Sequence, residues 1–255
     1  MCLAVIALSA HPHYSLVVAA NRDEFHARPA APAAWGRAPP FVDILAGRDL
    51  EAGGTWLGVR RDGRWSLVTN VREPGRHDPA ARSRGELVPR VLGADATDAA
   101  LAGIADAADR YNGFNLLAGD AGGVRWTSNR DPGVRSLSAG THGLSNALLD
   151  TPWPKVVRTL DRVRAWAADG ERDTSPLFAA LADRAPAPDA LLPATGVPHD
   201  WERMLSAPFI VSERYGTRCS TLLTIDRDGR ARFQERSFSA DGAQTVEMIE
   251  EFDLL

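Results

Sequence analysis

Short apolar runs separated by polar turns dominate the start of the chain. Segments 2–8 and 15–21 consist mostly of aliphatic residues, and the polar segment 11–14 joins them. Two apolar runs of strand length with a short turn between them predict an antiparallel hairpin. This hairpin would return the chain beside its own start and bring the tetrapeptide 21–24 close to residue 2.

Three later hairpins are predicted by glycine-containing turns between apolar runs. The turns are 61–63, 120–122 and 228–229, and each contains the pair Asp-Gly or Asp-Ala-Gly. Such turns match the twist of the strands they join. Segment 28–40, rich in Ala and Pro, predicts an irregular excursion that forms a wall or rim of a pocket. The strand before and the strand after Asp228-Gly229 are predicted to be the last two of the chain.

Helical periodicity occurs in two blocks between the predicted strands. The first block holds segments 83–92 and 98–108, and the second holds Thr151–Gly170 and a helix that opens at Ser175-Pro176. Segregated blocks of strands and helices favour an α+β fold with antiparallel sheets over alternating βαβ units. Two sheets stacked face to face with helices outside both would account for the two blocks. No compelling boundary divides the chain, so we predict a single domain over residues 1–255.

Composition narrows the classes of partner. The 255 residues carry a net charge of −4, and 44% of them are hydrophobic, as in a globular protein. An acidic balance does not favour nucleic acid or an anionic membrane as partner. No glycine-rich phosphate loop follows a strand, which argues against a nucleotide fold. Lys155 is the only lysine, and the arginine-rich composition is typical of codon bias.

The pattern of the N-terminal run bears on location. It spans about nine apolar residues with no basic residue before it, which does not match a secretory signal peptide. No stretch approaches the ~20 apolar residues of a membrane span, so we expect a soluble cytoplasmic protein without a transmembrane segment. Two cysteines make a poor disulfide framework. Nothing in the sequence indicates an oligomeric state.

Cys2 is the strongest candidate for chemistry. If Met1 is removed, Cys2 carries an α-amine of pKa about 8 and a thiol of pKa about 8.5 on one residue. Such a residue holds a nucleophile together with its own general base. Arg22 near the thiol would favour the thiolate, and Asp23 could orient the amine. Taken alone, a cysteine at position 2 is more often an accident of sequence.

Other candidate ligands for a metal or an apolar molecule are weaker. His11 and His13 lie two residues apart in the first turn, but no third ligand is evident, so we predict no metal and no cofactor. Tryptophans near the strands, among them Trp56, could stack on an apolar ligand, although most such residues are core or rim. Cys219 follows Arg218 on a predicted strand, so the two should point to opposite faces, with Cys219 a buried structural thiol if Arg218 faces the site.

Eight short motifs stand in order along nearly the whole chain and resemble those of one family. They are Met1-Cys2, Asn21-Arg22-Asp23-Glu24, Gly53-Gly54-Thr55-Trp56, Thr69-Asn70, Ser83-Arg84-Gly85, Tyr111-Asn112-Gly113-Phe114-Asn115, Gly143-Leu144-Ser145-Asn146 and Thr217-Arg218. Together they resemble the NRDE family, also called the transport and Golgi organisation protein 2 family. That family is similar to N-terminal-nucleophile (Ntn) hydrolases of the choloylglycine hydrolase and penicillin V acylase group.

This resemblance implies a four-layer αββα fold and a set of site residues. Cys2 matches the nucleophile, and Arg22 and Asp23 resemble an Arg and Asp pair near the terminus, although here the two are adjacent. Asn146 resembles the asparagine that donates to the oxyanion, and Arg218 resembles the late-strand arginine near the nucleophile. Three further residues are expected to bind substrate: Asn70, a weaker candidate for a second oxyanion-hole donor, Trp56 and His142.

Two functional classes follow from these expectations. The first is an N-terminal-cysteine amidohydrolase that cleaves a non-peptide C–N bond of an apolar acyl-type substrate. The second is a carrier or trafficking protein that binds lipid or haem in an Ntn-like pocket without turnover. The combination of Cys2, Arg22, Asp23, Asn146 and Arg218 favours the first, because a carrier has no use for such a set.

Overall fold

The computed structural model describes residues 2–255, which divide into two compact units. One unit holds the chain up to Ala27 together with Ser138–Phe252, and the other holds Arg28–Leu137 with Asp253–Leu255. The strands are β1 (Cys2–Leu8), β2 (Tyr14–Phe25), β3 (Ala30–Trp35), β4 (Ile44–Asp49), β5 (Leu57–Arg60), β6 (Trp65–Asn70), β7 (Phe114–Asp120), β8 (Gly123–Ser128), β9 (Asp131–Ser136), β10 (Gly140–Leu144), β11 (Tyr215–Asp226), β12 (Arg230–Phe238) and β13 (Gln244–Asp253). The α-helices are α1 (Leu87–Leu92), α2 (Thr97–Ala105), α3 (Pro154–Asp169), α4 (Ser175–Leu181) and α5 (His199–Leu205).

The first unit is built on a six-stranded sheet of order β10-β1-β2-β11-β12-β13. Residues Leu3 and Val5 of β1 pack with α3 and α4 in one buried cluster, so this side of the sheet is called the helix face. The side that carries Cys2 is called the thiol face. Gly143 in β10 permits close contact with α3, because a β-carbon there would lie 2.4 Å from Cγ1 of Val156.

The second unit is built on a seven-stranded sheet in which the strands follow chain order from β3 to β9. Helices α1 and α2 supply Leu87, Leu92, Leu101 and Ile104 to its buried cluster. Ser83 accepts a hydrogen bond from the backbone N–H of Gly85 ahead of α1, as the Ser-x-x-Glu pattern predicts for a helix start. Pro89 lies within this short helix. The prediction of one domain over residues 1–255 stays a prediction.

Two edge strands correct the sequence reading. Segment 28–40 was predicted to be irregular, but Ala30–Trp35 forms β3. The chain was predicted to end with two strands, but β13 adds a third. Both strands lie at a sheet edge. Pro32, which has no N–H to donate, is tolerated in the edge strand β3. The side chains of both strands are mostly exposed, so neither strand shows the apolar alternation of a half-buried strand.

All strand pairs with a resolved register are antiparallel, which confirms the α+β class. Helix α3 carries the predicted apolar stripe, including Val156, Leu160 and Val163, and ends at Gly170, whose φ is 71°. Its first residue is Pro154, not the predicted Pro152. Within residues 2–255, no helix is long and apolar enough to cross a membrane.

Candidate functional site

Cys2 stands directly opposite Arg22 in the β1–β2 register. Arg22 is in turn opposite Cys219 in the β2–β11 register. Directly opposite residues of antiparallel strands share a face, so Cys2, Arg22 and Cys219 form one row on the thiol face. Arg22 is 6% exposed and has Glu24 on the same face, with Nη2 3.9 Å from Oε2. The predicted hairpin therefore brings Arg22 to Cys2.

The end of β10 lies on the other side of Cys2. Leu144 pairs with Ala4, so the chain beyond it continues beside Leu3 and Cys2. The hydroxyl of Ser145 donates to the carbonyl oxygen of Cys2 at 2.8 Å. Asn146 follows, is 1% exposed, and accepts from the Ser145 hydroxyl at 3.3 Å. The structure thus brings the segment of Asn146 to Cys2, and Ser145 adds a backbone anchor that sequence reasoning missed.

A β-bulge corrects the predicted faces of Arg218 and Cys219. The register shifts between Thr217, opposite Asp23, and Cys219, opposite Arg22, so Arg218 is an extra residue. Cys219 therefore lies on the thiol face with Cys2, and simple alternation along the strand fails here. The Nη1 of Arg218 donates to the carbonyl oxygens of Phe25 and His26 at 3.1 and 3.3 Å. Its contact with a thiolate or a substrate stays a prediction.

Both thiols are less acidic than an exposed cysteine. Burial raises the pKa of Cys2, and the charge of Arg22 opposes this rise without overcoming it. The expected thiolate-favouring effect of Arg22 is thus present but smaller than the cost of removing the thiolate from water. Burial also raises the pKa of Cys219 well above its ordinary value, and the carboxylate of Glu235 adds to the rise.

Asp23 lies on the helix face, one residue past Arg22. Its Oδ1 accepts from the Thr217 hydroxyl at 2.7 Å, and its Oδ2 is 3.9 Å from Nζ of Lys155. The backbone N–H of Asp23 lowers the pKa of the Cys2 thiol, against the larger rise that burial causes. Adjacent strand residues point to opposite faces, so Arg22 and Asp23 approach the Cys2 end from different sides of the sheet. Lys155 and Thr217 were missed, although a lone lysine beside an apolar helical stripe is a visible signal.

The remaining predicted substrate residues are not brought to Cys2 in this unit. His142 pairs with Ile6, which is four residues from Cys2 along β1. At the rise per residue of a β-strand, these four residues span roughly 13 Å. Its Nδ1 lies 2.9 Å from Oδ2 of Asp150, and its Nε2 lies 3.0 Å from the carbonyl oxygen of Ser138. Both ring nitrogens have partners within the protein, and a substrate contact of His142 stays a prediction. Asn70 ends β6 and Trp56 precedes β5 in the second unit, and their roles stay predictions.

The two turn histidines have structural partners. Nδ1 of His11 accepts from the backbone N–H of His13 at 3.1 Å, and Nε2 of His11 bonds the Glu171 carbonyl oxygen at 3.1 Å. The His11 ring stacks on Trp166 with centroids 4.4 Å apart. Over the described residues 2–255, no three side chains of His, Cys, Asp or Glu cluster as metal ligands. The predicted removal of Met1 concerns a residue outside the described part of the chain.

Comparison with solved structures bears on the fold. The chain is similar to the Caenorhabditis elegans N-acylethanolamine-hydrolyzing acid amidase ortholog, with a TM-score of 0.52 at 11% sequence identity. The match covers 87% of this chain and 92% of the amidase chain. At this identity the likeness shows the fold alone, and it confirms the predicted Ntn-hydrolase fold class.

Comparison of sequences bears on the family. The chain is 38% identical over 249 residues to the Transport and Golgi organization protein 2 homolog of Bos taurus, covering 88% of this chain and 87% of that protein. The Homo sapiens homolog is 37% identical, with 88% of this chain and 87% of the homolog covered. The Drosophila melanogaster protein is 27% identical, with 94% of this chain and 93% of that protein covered. The family model described as Transport and Golgi organisation 2 matches residues 1–240. The chain therefore belongs to the transport and Golgi organisation 2 family.

Proposed function

We propose that the protein is an N-terminal-cysteine amidohydrolase that cleaves a non-peptide amide bond of an apolar acyl substrate. The observation that carries the proposal is the register that sets Cys2 opposite Arg22 and beside the end of β10. A half-buried thiol at the first strand residue, opposite a guanidinium and beside the segment that carries Asn146, has the parts that acyl transfer needs. The proposal includes a cytoplasmic location and removal of Met1.

The reaction begins at the sulfur of Cys2. The thiol loses its proton to the α-amine of the same residue, and the sulfur attacks the amide carbonyl to form a tetrahedral oxyanion. The side-chain amide of Asn146 donates to that oxyanion. The C–N bond then breaks, the leaving amine takes the proton from the α-ammonium, and a thioester remains on Cys2. Water, deprotonated by the α-amine, hydrolyses the thioester and restores the thiol.

The charges around the thiol fit this sequence of protonation states. Burial keeps Cys2 as a thiol in the resting state, since its pKa is raised. The guanidinium of Arg22 opposes that effect and stabilises the sulfur anion as it forms. A thiol that loses its proton only when a substrate arrives needs a nearby base, and the α-amine, with an ordinary pKa of about 8, meets that need.

The substrate class follows from the chain and from its structural relative. The net charge of −4 disfavours polyanionic substrates. The nematode amidase is named for hydrolysis of N-acylethanolamines, which carry an amide between an apolar acyl chain and a small amine. We expect acyl amides of this kind to be the first substrates to test.

A carrier without turnover is the second candidate. The relatives in Bos taurus, Homo sapiens and Drosophila melanogaster are named for transport and Golgi organisation and for no reaction. A carrier would bind lipid or haem, and Cys2 would take part in no reaction. The same site residues would then contribute to a pocket and not to a reaction.

Amine release from a panel of N-acyl amides separates the two classes. The panel varies the acyl chain length and the amine, and the protein is first verified by mass to begin at Cys2. Turnover that disappears in Cys2→Ala and persists in Cys219→Ser supports the hydrolase. Absence of turnover on every amide, with tight binding of haem or a lipid by both variants, would replace the hydrolase with the carrier.

A further inference from the structure

Lys155 and Asp23 form a buried ion pair beneath the Cys2 end of the sheet. Their side chains are 1% and 0% exposed, and Nζ lies 3.9 Å from Oδ2. Burial of a charge is costly unless an opposite charge and hydrogen bonds compensate it. The pair therefore requires an explanation beyond packing of α3 on the sheet.

The position of Lys155 in its helix sharpens the question. It is the second residue of α3, which begins at Pro154. The N-terminal end of a helix carries partial positive charge and disfavours a cation. Neighbouring Val156 and Leu160 belong to the buried apolar cluster. The helix alone does not account for an ammonium group here.

Asp23 links Lys155 to the nucleophile. Its carboxylate accepts a hydrogen bond from the hydroxyl of Thr217 on β11, and its backbone N–H lowers the pKa of the Cys2 thiol. Thr217 is itself fixed, since its hydroxyl accepts from the backbone N–H of Ile210 at 2.9 Å. In the β1–β2 register Asp23 is one pair beyond Cys2, on the side from which the α-nitrogen of Cys2 leaves the strand.

The protonation state of Asp23 depends on its surroundings. Burial raises the pKa of this carboxyl group, and the charge of Lys155 is the largest influence that lowers it. A neutral side chain at position 155 would remove the positive charge that most opposes the effect of burial on the pKa of Asp23. The pKa of the carboxyl group would then rise further, and its attraction for an ammonium group would weaken.

We propose that Lys155 is a positioning residue of the Cys2 centre, whose ammonium group keeps Asp23 ionised and in place to hold the α-amine of Cys2. Lys155 acts through Asp23 and does not touch the substrate. This inference rests on the proposed function only in giving the α-amine a catalytic role. The electrostatic link from Lys155 to Asp23 and to the amine exists with or without turnover.

Two measurements on Lys155→Met test the link directly. In protein labelled with ¹³C at aspartate, the carboxyl resonance of Asp23 is assigned by its loss in Asp23→Asn and followed against pH. We expect Asp23 to titrate at higher pH in Lys155→Met than in the wild type, and Lys155→Arg to restore most of the difference. The second measurement is the pH profile of thiazolidine formation with an aldehyde, which requires the free α-amine and the thiol of Cys2.

The pH profile of thiazolidine formation should show the loss of the negative charge on Asp23. Because a neighbouring carboxylate raises the pKa of an amine, the midpoint of the profile should move to lower pH in Lys155→Met and in Asp23→Asn. The double variant should match Asp23→Asn, since Lys155 acts through that residue. Val163→Ala is the matched control, because Val163 is buried on the same helix. It should lower the melting temperature and leave both titrations unchanged.

The outcomes separate this inference from the proposed function. Unchanged Asp23 and amine titrations in Lys155→Met, in protein that still hydrolyses amides, would overturn the inference and leave the hydrolase standing. Shifted titrations in a protein that hydrolyses no amide would support the inference and count against the hydrolase. A double variant with a profile displaced beyond Asp23→Asn would show that Lys155 does not act through Asp23.

Discussion

Cys219 lies on the same sheet face as Cys2, with Arg22 between them in the strand register. Their separation by an intervening strand, about 10 Å at strand spacing, is too long for a disulfide. Both are free thiols. They share one guanidinium, so the exposure and the surroundings of each decide which one reacts.

We expect iodoacetamide at neutral pH to modify Cys2 first. Cys219 is 4% exposed, and burial with the Glu235 carboxylate raises the pKa of its thiol well above the ordinary value. Cys2 is less buried and should react at least about tenfold faster. Peptide mapping after brief alkylation measures both rates. Cys219→Ser should leave the Cys2 rate unchanged, and faster labelling of Cys219 would contradict the assigned environments.

Asn146→Ala should abolish most acyl transfer while the protein stays folded. Loss of one oxyanion donor typically lowers turnover by roughly 10²–10³. Asn129→Ala is a matched control, because the Asn129 side chain bonds only backbone groups in the contacts seen, including the N–H of Phe114 and the carbonyl oxygen of Tyr111. It should lower the melting temperature and spare activity per folded molecule. An Asn146→Ala protein with wild-type acylation would remove Asn146 from the site.

Gly143→Ala should destabilise the first unit. The new β-carbon would stand 2.4 Å from Cγ1 of Val156 and 2.8 Å from Cδ1 of Leu160, so α3 or β10 must move. Overpacking of this kind costs roughly 1–3 kcal/mol. Gly103→Ala in α2 meets only the flexible Arg90 side chain and should be neutral or slightly stabilising. Thermal denaturation of both variants checks the contrast, and equal melting temperatures would refute the close helix–strand contact.

His11 and His142 should affect stability with opposite pH dependence. Burial lowers the pKa of His11, so its contribution is present above the unfolded pKa of about 6.5 and is lost as pH falls. The hydrogen bond to Asp150 raises the pKa of His142, so its contribution is present below about 6.5 and is lost as pH rises through the raised value.

Substitution of each histidine by glutamine tests the pH dependence of its contribution to stability. His11→Gln should lower the melting temperature more at pH 8 than at pH 5.5, and His142→Gln should lower it more at pH 5.5 than at pH 8. Comparison with the wild type at each pH removes the effect of other groups. The same pH trend in both variants would contradict the assigned partners.

Much of the fold was predictable from local pattern. The first hairpin is set by two aliphatic runs and a polar turn, and it alone brings Arg22 opposite Cys2. Gly170 ends α3 in the left-handed conformation, as its place after an apolar stripe predicts. The segregated blocks of strands and helices predict the α+β class, and the resemblance of the motifs implies the four-layer fold.

The parts that failed have physical reasons. The bulge at Arg218 inserts one residue into a strand, and no periodicity of apolar residues marks such an insertion. Strands β3 and β13 are edge strands with largely exposed side chains, so they lack the alternation that identifies a half-buried strand. The Lys155–Asp23 pair joins residues far apart in the chain, and only the packing of α3 on the sheet brings them together.

The most direct test of the central claim is the mass of the protein after reaction with an activated acyl substrate. An N-acyl amide or ester with a good leaving group is mixed with the wild-type chain, quenched in acid and measured intact. The account predicts a chain that begins at Cys2 and carries one acyl group, located at Cys2 by peptide mapping and absent in Cys2→Ala. A chain that keeps Met1 and gains no acyl group, or one acylated equally in Cys2→Ala, would contradict it.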